Sequence, residues 1–283
     1  MKTSYLGRWS QFRGWLICIS LVLPMLSGCR QEAQVQSEIR QSIERSFAAK
    51  QAPGQALVFV DLSDSLSDGE RSLIPTLVGR VIEMQPSNTR VFVYLLDGEM
   101  ENASPLQDIL IPDREHATNQ NSFDTVNDFE QAKQQLVSAV TDQINLRKGE
   151  KTRPFTSCYL NSLSFANGFF ESHPAPTQHA VWVGDLIEDC KRDGFAKYNL
   201  ARYSKSLHPD EVVAGYVSDL TLPVSKLQKA SLTAVFVPRP RSDGRNPVPP
   251  AVVMQYWAAV AQKLDLGPRA MKFMYPPDIA EKR

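Results

Sequence analysis

The chain has 283 residues, and its 31 lysines and arginines balance 31 aspartates and glutamates, so its formal charge is zero. Without a basic surplus it has little to grip a phosphate backbone, which argues against a nucleic-acid binder. A 42% apolar share with 22% charged residues excludes wholesale disorder, and the length allows one large domain or two small ones.

In chain order, residues 1–28 read as an export signal. Lys2, Arg8 and Arg13 flank an apolar run from Trp15 to Leu26, and no acidic residue interrupts it. A run of about a dozen residues falls short of the ~20 that span a bilayer, and a basic start before such a run is the secretory pattern. It ends in Leu26-Ser27-Gly28-Cys29, which resembles the bacterial lipobox. The resemblance implies cleavage before Cys29, a diacylglyceryl group on its sulfur and a fatty acyl chain such as palmitate on its new amine. Several acyl chains on one residue anchor a protein stably without a transmembrane helix. Arg30, not Asp, follows Cys29, which by the same resemblance implies passage to the outer membrane in a didermal cell. The expected location is thus the cell envelope. An ordinary signal peptide or a short membrane anchor is the plainer alternative.

Loss of this segment leaves a mildly acidic chain, with a net charge of about −3. Cys18 is discarded and Cys29 lipidated. Cys158 and Cys190 then remain in an oxidising compartment, either as one disulfide or as two buried thiols. Residues 29–55 are rich in Gln, Glu, Ser and Arg and read as a tether. Residues 56–283 read as the folded domain.

Ala56-Leu57-Val58-Phe59-Val60 is a continuous apolar run, as expected of a strand covered on both faces. Ser67-Asp68-Gly69-Glu70 has the form of a capping box, and Leu73, Ile74, Leu77, Val78, Val81 and Ile82 recur at helical spacing behind it. A second strand runs over 90–96. Residues 99–123 are polar and read as loop with a short edge strand. Phe129, Leu136, Val140 and Ile144 mark a helix of about 20 residues ending near Lys148-Gly149. Leu163, Ala166, Phe169 and Phe170 mark another. Strands follow at 180–183 and 232–237, a helix at 253–264 and a last strand at 270–275. Residues 190–229 show no periodicity. Apolar strands alternating with helices predict an α/β fold: a doubly wound, mostly parallel sheet with helices on both faces.

In such sheets ligands bind beyond the carboxyl ends of the strands. The first strand ends in Asp61-Leu62-Ser63-Asp64-Ser65, a D-x-S-x-S sequence followed by the capped helix. Hydroxyls at alternate positions of a tight loop can reach one hard cation, and carboxylates behind them can hold its waters. Fold and motif together resemble the von Willebrand factor type A domain and its metal-ion-dependent adhesion site, over residues 56–276. The resemblance implies Ser63 and Ser65 as direct ligands and Asp61 as a water-mediated one. It also implies Asp185, after Trp182-Val183-Gly184, as the acidic residue of a later strand end. Thr156 and Ser157 both qualify for the family's loop threonine. The implied ion is Mg²⁺, with Mn²⁺ and Ca²⁺ as alternatives. The implied partner is a protein that offers an acidic side chain to the ion.

The plainer alternatives are a helix-entry loop at Asp61–Ser65 and a solvated acidic turn at Asp185, Glu188 and Asp189. His116, His173, His179 and His208 show no metal-binding spacing and read as surface or capping residues. Arg239, Arg241 and Arg245 read as a solvated loop. No P-loop, GxGxxG or nucleophile elbow is present. Asp61 after the first strand also resembles haloacid dehalogenase-type phosphatases, but Ser63 stands where those place their acid. The expectation is therefore a binding module and not an enzyme. A structural lipoprotein of an envelope, secretion or conjugation assembly, with a degenerate metal site, is the second expectation.

Overall fold

Parallel strands dominate the sheet, and their apolar runs have the pattern of strands covered on both faces. In β1 (Gly54–Asp61), Leu57 and Phe59 enter one core cluster while Ala56, Val58 and Val60 enter another. Successive strand residues point to opposite faces, so an unbroken apolar run requires cover on both. A computed structural model describes residues 53–63, 66–96, 100, 103–112, 121–149, 156–192, 194–200, 215, 217–237, 248–267 and 271–275. All belong to one compact unit, Ala52–Arg283.

The elements follow the expected alternation. After β1 come α1 (Asp68–Glu83), β2 (Thr89–Leu96), β3 (Gln107–Leu110), α2 (Asn121–Gly149), α3 (Tyr159–Ser172), β4 (Gln178–Gly184), β5 (Ser231–Phe236), α4 (Pro250–Lys263) and β6 (Met271–Met274). They build one six-stranded sheet in the order β3-β2-β1-β4-β5-β6. Only β3 is antiparallel, pairing Arg90 with Leu110 at the edge. The core order is the Rossmann-like one. The doubly wound α/β class expected from the sequence is therefore the class observed.

Helices cover both faces. Ile74, Leu77, Val78, Val81 and Ile82 of α1, with Phe129, Leu136, Val140 and Ile144 of α2, close one side. Leu160, Leu163, Ala166 and Phe170 of α3, with Val253, Tyr256, Trp257 and Val260 of α4, close the other. Each Val, Leu, Ile or Phe side chain among these, once buried, contributes roughly 1.5–3 kcal/mol, before the entropy of ordering is subtracted. On the α3–α4 side the Phe59 and Trp182 rings stack with centroids 5.5 Å apart.

The capping box forms as read. Ser67 Oγ accepts the Glu70 N–H at 3.3 Å, and Glu70 Oε2 accepts the Ser67 N–H at 2.7 Å. Helix α2 is longer than expected, 29 residues, and begins at Asn121. Its apolar periodicity starts only near Phe129, so hydrophobic spacing cannot mark its first turns. Strand β1 begins at Gly54, two residues before the apolar run. In the unperiodic stretch, Leu200, Val217, Leu220, Val224 and Leu227 bury one at a time around two 3₁₀ turns, Ala196–Tyr198 and Leu227–Lys229. No helix among the described residues is long and apolar enough to cross a membrane. Cys29, the tether up to residue 52, His116, His208, Arg239, Arg241 and Arg245 lie outside the described residues.

Candidate metal site

The strand order reverses between β1 and β4, which makes their carboxyl ends the topological switch point. Asp61 is the last residue of β1, and Asp185 directly follows β4. Both are essentially inaccessible, as are Ser63 and Ser157. Ser65 lies outside the described residues.

Three donors converge on the Asp61 carboxylate. Oδ1 accepts the Ser63 N–H at 2.7 Å and the Ser157 hydroxyl at 3.0 Å. Oδ2 accepts the Tyr159 hydroxyl at 2.8 Å. Of the two candidates before α3, Ser157 is the one bonded to Asp61. Thr156 is only half-buried. The Ser63 loop is held from the helix side as well: Arg71 Nη2 donates to the Ser63 carbonyl at 2.8 Å and Arg147 Nη1 to the Leu62 carbonyl at 3.5 Å.

Tyr159 joins the two strand ends. Its hydroxyl donates to Asp61 and accepts the Leu186 N–H at 3.1 Å. Leu186 is a non-glycine residue at φ 57°, a left-handed conformation that such a residue adopts only when its surroundings impose it. Here both of its backbone groups are held, since its carbonyl accepts Trp257 Nε1–H at 2.8 Å. Asp185 Oδ1 meanwhile accepts the Ile187 N–H at 2.9 Å, which braces the same turn. Burial lifts the Tyr159 phenol well above its usual 10, and the charges of Asp61 and Asp185 add to this. The group therefore stays a hydroxyl and always has a proton to donate. Gly184 makes room for it, because a Cβ there would overlap the Tyr159 hydroxyl and Asp61 Cβ.

The loop bearing Ser157 is fastened to the loop after β4. Cys158 and Cys190 form a disulfide, the single pairing the sequence allowed. The Asp189 N–H donates to the Ser157 carbonyl at 3.0 Å. Glu188 is fully buried, so the acidic turn read as a solvated alternative is not solvated. Its Oε2 accepts the Leu160 N–H at 2.8 Å, supplying the cap for α3 that Cys158 does not. An anion at a helix amino end is favoured, yet burial pushes the Glu188 carboxyl up to about 8, with Asp189 adding and the backbone bonds opposing. Glu188 and the two cysteine sulfurs lie within 4.8 Å of one another. The bridge withholds both sulfurs from metal ligation, which requires thiolates.

The histidines divide. His173 is the exposed cap of α3, bonded to the Phe169 carbonyl. His179 is half-buried and caps no helix among the described residues. It sits at the amino end of β4 between Gln85 Oε1 (2.8 Å) and Thr233 Oγ1 (2.9 Å), and burial pulls it down to about 4. Tyr159, Arg71 and Arg147 were not identified from the sequence. For Tyr159 the only signal is its position two residues after Ser157.

No protein-family model and no curated protein matches the sequence. Among solved structures, it is similar to the three N-terminal domains of the type V pili tip protein Mfa5 from Porphyromonas gingivalis, at 13% identity over 48% of this chain, with a TM-score of 0.31. The chain spans only 20% of the length of that one. It is similar to manganese-loaded Plasmodium vivax TRAP protein at 15% identity, over 81% of this chain and 72% of that one, with a TM-score of 0.42. An aerotolerance-related membrane protein from Bacteroides fragilis aligns at 9% identity, over 81% and 95%, with a TM-score of 0.38.

Proposed function

We propose that this chain is an exported lipoprotein, anchored in the cell envelope through Cys29, whose α/β unit binds a protein partner through a divalent cation. Asp61, Ser63, Ser65, Ser157 and Asp185 are the proposed ligands, direct or through water, with Ser157 preferred to Thr156. The partner completes the ion's shell with an acidic side chain. The observation behind this reading is the meeting of the Asp61 carboxylate with the Ser157 hydroxyl beside Asp185, at the switch point of the sheet.

The residues fit a hard cation. Every donor is oxygen, which suits Mg²⁺, Mn²⁺ or Ca²⁺ and not a thiophilic metal. Ser157 gives its proton to Asp61, so its lone pairs are available to an ion. A carboxylate offers about four acceptor positions, and three on Asp61 are taken. One remains, enough for a single metal-bound water.

Titration with Mn²⁺ should show one site that EDTA empties and Mg²⁺ competes for. Ser63→Ala with Ser65→Ala should abolish it while the far-ultraviolet dichroism stays unchanged. Unaltered Mn²⁺ binding in that double variant would refute the assignment. Cys29→Ser should release the chain from the membrane fraction. A second reading, a structural lipoprotein with a degenerate site, draws on the full burial of Asp61 and its three protein donors, which satisfy the carboxylate without an ion. Partner capture from solubilised envelopes that survives EDTA would favour it.

A further inference from the structure

We infer that Tyr159 is the residue that sets metal selectivity at this site, holding Asp61 to a single outer contact and so favouring Mg²⁺ over Ca²⁺. The inference rests on the cation reading above and adds to it a residue outside the D-x-S-x-S pattern.

The argument is one of acceptor positions. Oδ1 of Asp61 is filled by the Ser63 N–H and the Ser157 hydroxyl. Oδ2 has one position taken by Tyr159. The carboxylate therefore cannot turn both oxygens toward one ion. Ca²⁺ takes six to eight oxygens and readily uses bidentate carboxylates, whereas Mg²⁺ prefers an octahedral shell and keeps several waters. A carboxylate limited to one contact suits the second ion.

Two features keep the Tyr159 hydroxyl in this role. Its acceptor side is used by the Leu186 N–H, which fixes the direction of donation toward Asp61. Its ring packs edge-on against Trp257 at 5.8 Å, and Gly184 leaves the space its oxygen occupies. Tyr159 is a positioning residue: it acts on the ion through Asp61 and does not touch it.

The test compares Mg²⁺ and Ca²⁺ titrations of the disulfide-intact protein with those of Tyr159→Phe. Wild type should favour Mg²⁺. Tyr159→Phe should still bind both ions, with the ratio of the Ca²⁺ to the Mg²⁺ dissociation constant reduced by about tenfold. Replacing Tyr159 with 4-aminophenylalanine, which restores an N–H donor, should recover the wild-type ratio. An unchanged ratio in a Tyr159→Phe protein that binds both ions overturns the inference and leaves the cation reading standing. Wild type that binds neither ion overturns both. Should Tyr159→Phe not fold, the anomalous signal of Mn²⁺ in wild-type crystals decides. A water between the ion and Asp61 supports the inference, and a direct bond to Asp61 Oδ2 overturns it.

Discussion

Glu188 makes stability fall with rising pH, against the usual behaviour of a buried carboxylate in an ion pair. Its carboxyl is raised from 4.5 to about 8, chiefly by burial. Between those values the folded chain holds a proton that the unfolded chain has released. Stability is fully present below 4.5 and is lost as pH rises toward 8. Each pH unit is worth ~1.4 kcal/mol, so the whole interval is worth ~5 kcal/mol. His179 acts with the opposite sign. Burial depresses it from 6.5 to about 4. Its contribution is present above 6.5 and is lost as pH falls to 4, ~3 kcal/mol in all. The two slopes offset each other between about 4.5 and 6.5 and leave Glu188 alone above that. Glu188→Gln keeps an acceptor for the Leu160 N–H but removes the titration. Urea unfolding of both proteins from pH 4.5 to 8.5 should show the variant gaining on wild type by ~1.4 kcal/mol per unit, levelling off near pH 8. A stability difference that stays flat over that range would refute the reasoning.

Other outcomes follow from the same geometry. Cys158→Ser with Cys190→Ser frees a loop of sequence separation 32, which should cost ~3–4 kcal/mol by urea unfolding, with a raised m-value because the unfolded chain is no longer cross-linked. A loss under ~1 kcal/mol would mean that the Asp189–Ser157 and Glu188–Leu160 bonds suffice without the bridge. Gly184→Ala should destabilise by ~1–3 kcal/mol, because the added methyl meets Tyr159 and Asp61. Gly168→Ala, on α3 with nothing near the added atom, should instead stabilise by ~0.5–1 kcal/mol in the same thermal melts. Ser67→Ala should cost ~1 kcal/mol through loss of the α1 cap, read as a lowered melting temperature.

The sequence alone determined the parts that are local or periodic. Uniformly apolar strands such as Ala56–Val60 require two covered faces, and that dictated a doubly wound sheet. The Ser67–Glu70 box marked the start of α1, because a cap needs only residues within one turn. Asp61 and Asp185 were legible as acidic residues at the carboxyl ends of apolar strands, with Ser63 two positions beyond the first. Two further features emerged only with the tertiary structure. Strand order placed β4 beside β1, and this brought Ser157, Tyr159 and Asp61 together across about a hundred residues of sequence. No spacing rule reaches so far, because a contact of that range is decided by which strands pair. Glu188 and His179 show the same limit. Their chemistry is set by desolvation, and desolvation belongs to the packed core, not to the residue types beside them in the chain.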